Sequence, residues 1–397
     1  MRRRSFIAGL VGAASRGADA GLGTVAYVRQ DGLWFRELPG GGARRLVSGD
    51  GISSPRFSPS GKWIAYLQRD ATNVVSVEGG RPARLGPGGC QWSPFGDLLV
   101  EAQDRLNVFH DANGWRSPVR HIPAGLPVVF SPDGKSIAYG ARRLSTLALD
   151  KSQSNPKVLF DDQRNGTVPC CWTQGGEYVL FWKDPSFSES IKADGLELFR
   201  IPAAGGAPQT VGMTTLVHDD MLSFSPRGDK LAVCAGAGRN TWEAKRIAVI
   251  DLPSMAIRYL TGESMAAICP AWSPDASTIA FSAAPVAPHI GGGDDAKRAL
   301  GKRRICTVDA AGANAPRHLT VDDSYRDEEP MWSADGRHIL FGRIAAGDDS
   351  HTLWLMDAAG SDARQVAGPL HVEGNETWFG YYGYVDWLAK VDWSRSR

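Results

Sequence analysis

Short apolar runs broken by Gly, Pro, Ser and Asp set the pattern of this chain from Thr24 almost to its end. The stretch from Phe130 to Gly140, FSPDGKSIAYG, shows the repeating unit. An aromatic residue closes one strand, Ser-Pro-Asp-Gly turns the chain, and an apolar run opens the next strand. Pro132 supplies the fixed φ wanted at the second turn position, Asp133 can hydrogen-bond nearby backbone, and Gly134 takes a conformation costly for other residues. Aligning the aromatic anchors gives Phe57, Trp92, Phe130, Trp172, Phe224, Trp272 and Trp332, with an anchor-like Trp387 after them. The turns that follow the first seven read SPSGKW, SPFGDL, SPDGKS, TQGGEY, SPRGDK, SPDAST and SADGRH, so Thr173-Gln174, Ala276 and Ala334 are the departures.

A second unit follows each anchor hairpin: an apolar strand, a turn of small residues, and a strand ending in a basic and an apolar residue, as in LWFRELPGGGARRLV and LWLMDAAGSDARQVA. These outer hairpins begin near Leu33, Asn73, Leu106, Leu144, Leu196, Ile247, Ile305 and Leu353, eight in all. The first has only the strand TVAYVRQ before it, and the last stretch, WFGYYGYVDWLA, has no outer hairpin after it. The two halves complete one another. The expected fold is therefore all-β, a single β-propeller of four-stranded antiparallel blades closed by pairing of the N- and C-terminal strands. Eight blades are expected, with seven as the alternative if the N-terminal strands only pad the final blade. Anchor spacing from Phe57 to Trp387 averages about 47 residues, close to the size of such a blade.

Composition agrees with this picture. With 43% hydrophobic residues in 397, the chain can bury a large core, and 46 glycines with 24 prolines fit many turns rather than long helices. The opening MRRRSFIAGLVGAASRGADA has a basic start, a short apolar run and a small-residue Ala18-Asp19-Ala20 site suited to signal peptidase. Arg3-Arg4-Ser5-Phe6-Ile7 resembles the twin-arginine export signal. Residues 1–20 are read as a leader and 21–397 as the propeller domain, which places the protein in the periplasm or outside the cell. Net charge is +1, or −2 without the four arginines and one aspartate of the leader, and neither value points to a nucleic-acid partner. No later stretch is long and apolar enough to read as a transmembrane segment.

The F/W-S-P-D-G-x-x-I-A-F pattern resembles the TolB-like, or WD-like, β-propeller repeats from residue 24 to about 390. Such repeats occur in TolB, in the propeller domains of prolyl oligopeptidase and dipeptidyl peptidase relatives, and in oligogalacturonate lyases. The resemblance implies a fold more firmly than an activity. The additional α/β domain of TolB and the α/β-hydrolase domain of the peptidases are not found in these residues, and no G-x-S-x-G nucleophile elbow occurs.

Strand direction turns sequence position into geometry. In a four-stranded antiparallel blade the Ser-Pro-Asp-Gly turns and the small-residue turns share one face, and all irregular loops fall on the other, where binding usually resides. That face is expected to carry His218, Asp219 and Asp220 in one inter-blade loop and Tyr325, Arg326, Asp327, Glu328 and Glu329 in another. The insertion from Ala284 to Arg304 adds Lys297, Arg298, Lys302, Arg303 and Arg304, which read as a solvated loop or as a lure for an acidic partner. His218, His289, His351 and His371 fall in loops of the same face, and the likeness to the lyases implies a divalent metal ion among them, although no H-x-H or H-E-x-x-H spacing occurs. The six cysteines, Cys90, Cys170, Cys171, Cys234, Cys269 and Cys306, read as space-filling thiols, as structural disulfides, or as thiols converging on a channel.

Three functions fit this reading. The first is an exported, monomeric, non-enzymatic scaffold that binds a protein, peptide or glycan on the loop-rich face. The second is a metal-assisted polysaccharide lyase or hydrolase using His218, Asp219, Asp220 and Asp327 to Glu329. The third is a regulatory propeller that partners a separate peptidase.

Overall fold

The computed structural model describes residues 21–103, 105–149, 155–185, 195–287, 294–346, 350–372 and 382–394. Residues 1–20, read as a leader, and His289 lie outside them. Regular structure is almost all antiparallel strand, with one α-helix, Asp294–Gly301, among the described residues. The strands form six sheets of four and one of eight. The larger sheet is two four-stranded runs, Gly166 to Leu216 and Leu222 to Tyr259, joined at the single pair Thr215 and Ala235.

Seven inner strands end on an expected anchor: Ile52–Phe57, Cys90–Trp92, Val128–Phe130, Gly166–Trp172, Leu222–Phe224, Met265–Trp272 and Tyr325–Trp332. The anchors do more than fill space. Each tryptophan sends its indole N–H to the carbonyl just before the anchor of the preceding sheet: Trp92 to Arg56, Trp172 to Val129, Trp272 to Ser223 and Trp332 to Ala271, all at 3.0 Å. A large apolar ring with one polar edge thus fastens sheet to sheet while satisfying a buried donor.

The first sheet brings the two ends of the chain together. The C-terminal strand Val391–Ser394 pairs with Thr24–Arg29, Val25 facing Trp393 and Tyr27 facing Val391. Trp393, not Trp387, takes the anchor position: Phe57 N–H donates to Asp392 at 2.7 Å, just as Trp272 N–H reaches Ser223 in its own pair of sheets. Trp387 departs from the expected role. It lies in a single 3-10 turn, Trp387–Ala389, and is buried against Gly342, where a β-carbon would sit 2.5 Å from the indole.

The Ser-Pro-Asp-Gly turns show why those letters recur. Ser131 hydroxyl donates to Asp133 at 2.7 Å and Asp133 also accepts Lys135 N–H at 3.1 Å. The same clamp recurs at Ser273 with Asp275 and at Ser333 with Asp335. Gly134 sits at φ 67°, and Ala276, which replaces glycine in its turn, is held at φ 62°. These hairpins link first to second strands. Second-to-third connections lie at the opposite end of each sheet, and the helix Asp294–Gly301 is part of one of them.

Candidate functional site

The acidic run expected as an inter-blade loop is mostly strand. Tyr325 to Glu329 begin the inner strand Tyr325–Trp332, and Arg326, Asp327 and Glu328 are at most 1% exposed. Alternation and pairing explain how a charged run can be buried. Asp327 stands directly across from Arg343 in the neighbouring strand and holds it with two hydrogen bonds, 2.7 and 3.0 Å. The Arg343 guanidinium lies over the rings of Tyr325 and Trp354, each 4.4 Å from centroid. Arg326 and Glu328, two residues apart, share the other side of the strand and meet through Arg326 Nε at 2.9 Å and Nη2 at 2.6 Å.

Glu328 is the hub of a charge network that joins four segments. Arg303, from the basic insertion, donates to Glu328, to Gly383 O at 2.6 Å and to Thr241 O at 2.9 Å. Arg326 also reaches Gly383 O at 2.7 Å, and the Trp387 indole donates to the second Glu328 oxygen at 3.0 Å. Burial alone would raise the Glu328 pKa, but the two guanidiniums and the indole outweigh it and hold the carboxyl at about 2. The Arg326 pKa is lowered as well, to about 10, chiefly by burial, which Glu328 opposes. The carboxylate accepts from three guanidinium N–H groups on Oε1 and from the indole on Oε2, and such pairing is the condition under which buried charge is tolerated.

The basic insertion therefore splits in two. Arg303 and Arg304 are buried, the latter paired with Asp323 at 2.6 Å. Lys297, Arg298 and Lys302 stay exposed on and beside the helix, whose apolar side, Ala296, Ala299 and Leu300, packs on Trp242.

His218 and Asp220 are buried, and Asp219 is half-buried. His218 Nδ1 accepts Asp220 N–H at 3.2 Å, capping the turn Asp219–Met221, and stands 3.3 Å from Asp220 Oδ2. The Tyr384 ring meets the imidazole edge-on at 4.9 Å between centroids. Among the described residues, one His and acid group brings its ligand atoms within 4.8 Å of one another: His218, Asp220 and Asp386. Asp386 carries no signal in the sequence beyond its place before the turn it caps, accepting Ala389 N–H at 3.0 Å. Among the described residues, neither His351 nor His371 joins this group. His351 is fully buried, stacked on Trp387 at 5.3 Å with neither ring nitrogen hydrogen-bonded, and burial together with Lys390 and Arg326 pushes its pKa down to about 3. His371 is half-buried, with its backbone N–H on Val28 O.

All six cysteines are free thiols, so the disulfide reading does not hold. Burial pushes Cys234 and Cys306 up to about 12 and raises Cys170 and Cys269, which disfavours the thiolate at these four. Cys269 and Glu329 share another feature. With Ser54 they stand three residues before an anchor and just before a proline, at φ 53–55°, where the inner strand shifts register. This repeated bulge re-aims the inner strand in three sheets.

No family model matches the chain. It is 37% identical to the Tol-Pal system protein TolB 1 of Novosphingobium aromaticivorans over 70 residues, 18% of this chain and 15% of that protein. The matched stretch is thus a small part of the curated relative. Among solved structures, a eukaryotic initiation factor aligns with TM-score 0.52 and 10% identity over 87% of this chain and 96% of that one. A protein described as a dipeptidyl aminopeptidase IV of Bacteroides ovatus aligns with TM-score 0.51 and 9% identity over 88% of this chain and 59% of that one. At such identities the structural likeness is one of fold. No helix among the described residues is long and apolar enough to cross a membrane.

Proposed function

From a chain of TolB-like β-propeller repeats, we propose an exported, monomeric binding protein whose loop-rich face takes a protein, peptide or glycan partner in the periplasm or outside the cell. In this reading the four-stranded units are eight blades, closed into a ring by the first and last strands, and residues 1–20 are the leader. The observation that carries the proposal is the buried Arg303, Glu328 and Arg326 network. It ties the Thr241 loop, the helix insertion and the Gly383 segment to one inner strand. Loops fixed beforehand lose little entropy when a partner arrives. Their exposed cations, Lys297, Arg298 and Lys302, suit a partner with acidic groups.

A second reading, a metal-assisted lyase or hydrolase, draws on His218, Asp220 and Asp386. Asp327 and Glu328 would not serve it as bases, because Arg343 holds the first and the second stays ionised down to a pKa of about 2. A separate peptidase chain is one protein partner that the first reading admits, and co-purification from the native envelope tests it.

The main test is crosslinking of the purified protein in an envelope extract with a lysine-reactive reagent. Crosslinks to partners are expected at Lys297 and Lys302, while Lys62 and Lys135 in the Ser-Pro turns stay unmodified by partners. Partner crosslinks confined to Lys62 and Lys135 would overturn the assignment of faces.

A further inference from the structure

We propose that His218, Asp220 and Asp386 form a binding site for a divalent first-row metal ion, sharing only His218 with the four-histidine set expected from sequence. The ligand atoms of the three side chains all lie within 4.8 Å of one another. An ion about 2.1 Å from each ligand places neighbouring ligands about 3 Å apart and opposite ones about 4.2 Å apart. The 3.3 Å between His218 Nδ1 and Asp220 Oδ2 is the spacing of two neighbours on one ion.

Each ligand is held by its surroundings. The His218 ring is fixed by Tyr384 at 4.9 Å. Asp220 sits in the turn that His218 caps, and Asp386 in the turn it caps itself. Ion uptake through Nδ1 would replace the contact with Asp220 N–H by a metal bond. Two carboxylates and a neutral imidazole carry the charge that offsets a dication, and one nitrogen with two oxygens suits Mn²⁺ or Zn²⁺ rather than a soft ion. His218 and Asp220 are buried and Asp386 is half-buried, which gives an ion an entry side. Three protein ligands also leave positions for water or for an oxygen of a bound molecule.

The site does not depend on partner binding, so either proposal can fail without the other. Its consequence for the fold is a bond between the Val217 to Met221 connection and the C-terminal segment that returns to the first sheet.

The test uses purified full chain stripped with a chelator and titrated separately with MnCl₂ and ZnCl₂, followed by calorimetry, by Mn²⁺ electron paramagnetic resonance and by thermal melting. One ion per chain is expected, with a melting temperature that rises with ion concentration. Asp386→Asn keeps a side chain able to cap its turn, and is expected to fold normally while binding at least about tenfold more weakly. His218→Gln should weaken binding similarly, and His371→Gln should leave it unchanged. Absence of one-to-one binding for both ions would overturn the proposal. So would unchanged affinity in folded Asp386→Asn and His218→Gln proteins, as judged by their circular dichroism.

Discussion

The two ends of the sheets are stabilised in opposite ways. At the Ser-Pro-Asp-Gly end, the side-chain clamps within the turns are local: Ser131, Asp133 and Lys135 satisfy one another within five residues, and Asp133 is exposed. At the other end, Glu328 collects donors from residues 303, 326 and 387, and Arg303 goes on to residues 241 and 383. Local clamps fix blade geometry and repeat; the buried network is made once and fixes where loops sit. A repeat can be damaged in one copy with modest loss, whereas the network fails as a unit.

The largest expected effect follows from that contrast. Glu328→Gln leaves two buried guanidiniums facing a neutral group and should cost about 3–5 kcal/mol in chemical denaturation, against a much smaller loss for Asp133→Asn in its exposed turn. A similar loss from both would erase the distinction.

Acid titration sharpens it further. The His351 pKa is depressed to about 3, so between pH 6.5 and 3 the unfolded chain binds a proton that the native chain does not, and stability falls as pH falls across that window. Each unit of the interval costs about 1.4 kcal/mol. Glu328 acts in the same direction but lower: its contribution is present above its ordinary value of 4.5 and is lost as pH falls toward 2. His351→Phe, which can keep the stack on Trp387, should flatten the pH 6.5 to 4.5 limb of the stability profile and leave the steeper acid limb in place. An unchanged upper limb would show that His351 is not the titrating group.

Smaller effects test single contacts. Gly342→Ala places a β-carbon 2.5 Å from the Trp387 ring and should destabilise by about 1–3 kcal/mol. Ala276→Gly relieves φ 62° in a turn where the other repeats carry glycine, and should raise the melting temperature slightly, by under about 1 kcal/mol of stability. A drop in the second case would mean that the Ala276 methyl packs better than its backbone is strained.

Legibility in the sequence follows the same division. The Phe130 to Gly140 unit specifies its own hairpin, so seven anchors and eight outer hairpins were readable, since each depends on neighbours in sequence. Trp387 was misplaced because it precedes the last strand by a few residues and resembles an anchor in type; only the pairing of Val25 with Trp393 distinguishes them. Tyr325 to Glu329 read as an inter-blade loop because nothing local shows that Arg343 will face Asp327 or that Arg303 will reach Glu328. The candidate metal cluster was readable only in part. His218 and Asp220 were flagged by their run, whereas Asp386 joins them from a segment more than a hundred residues away and has no motif of its own.

The central claim is that buried charge, not loop sequence, holds the loop-rich face in place. Amide hydrogen exchange on native protein and on Glu328→Gln, at a denaturant concentration where both remain folded, tests it most directly. The account predicts that residues 236–246 and 382–386 lose protection together while the turns at Ser131 to Ser136 and Ser273 to Thr278 keep theirs. Unchanged protection in the two loop segments, or equal loss in loops and turns, would contradict it.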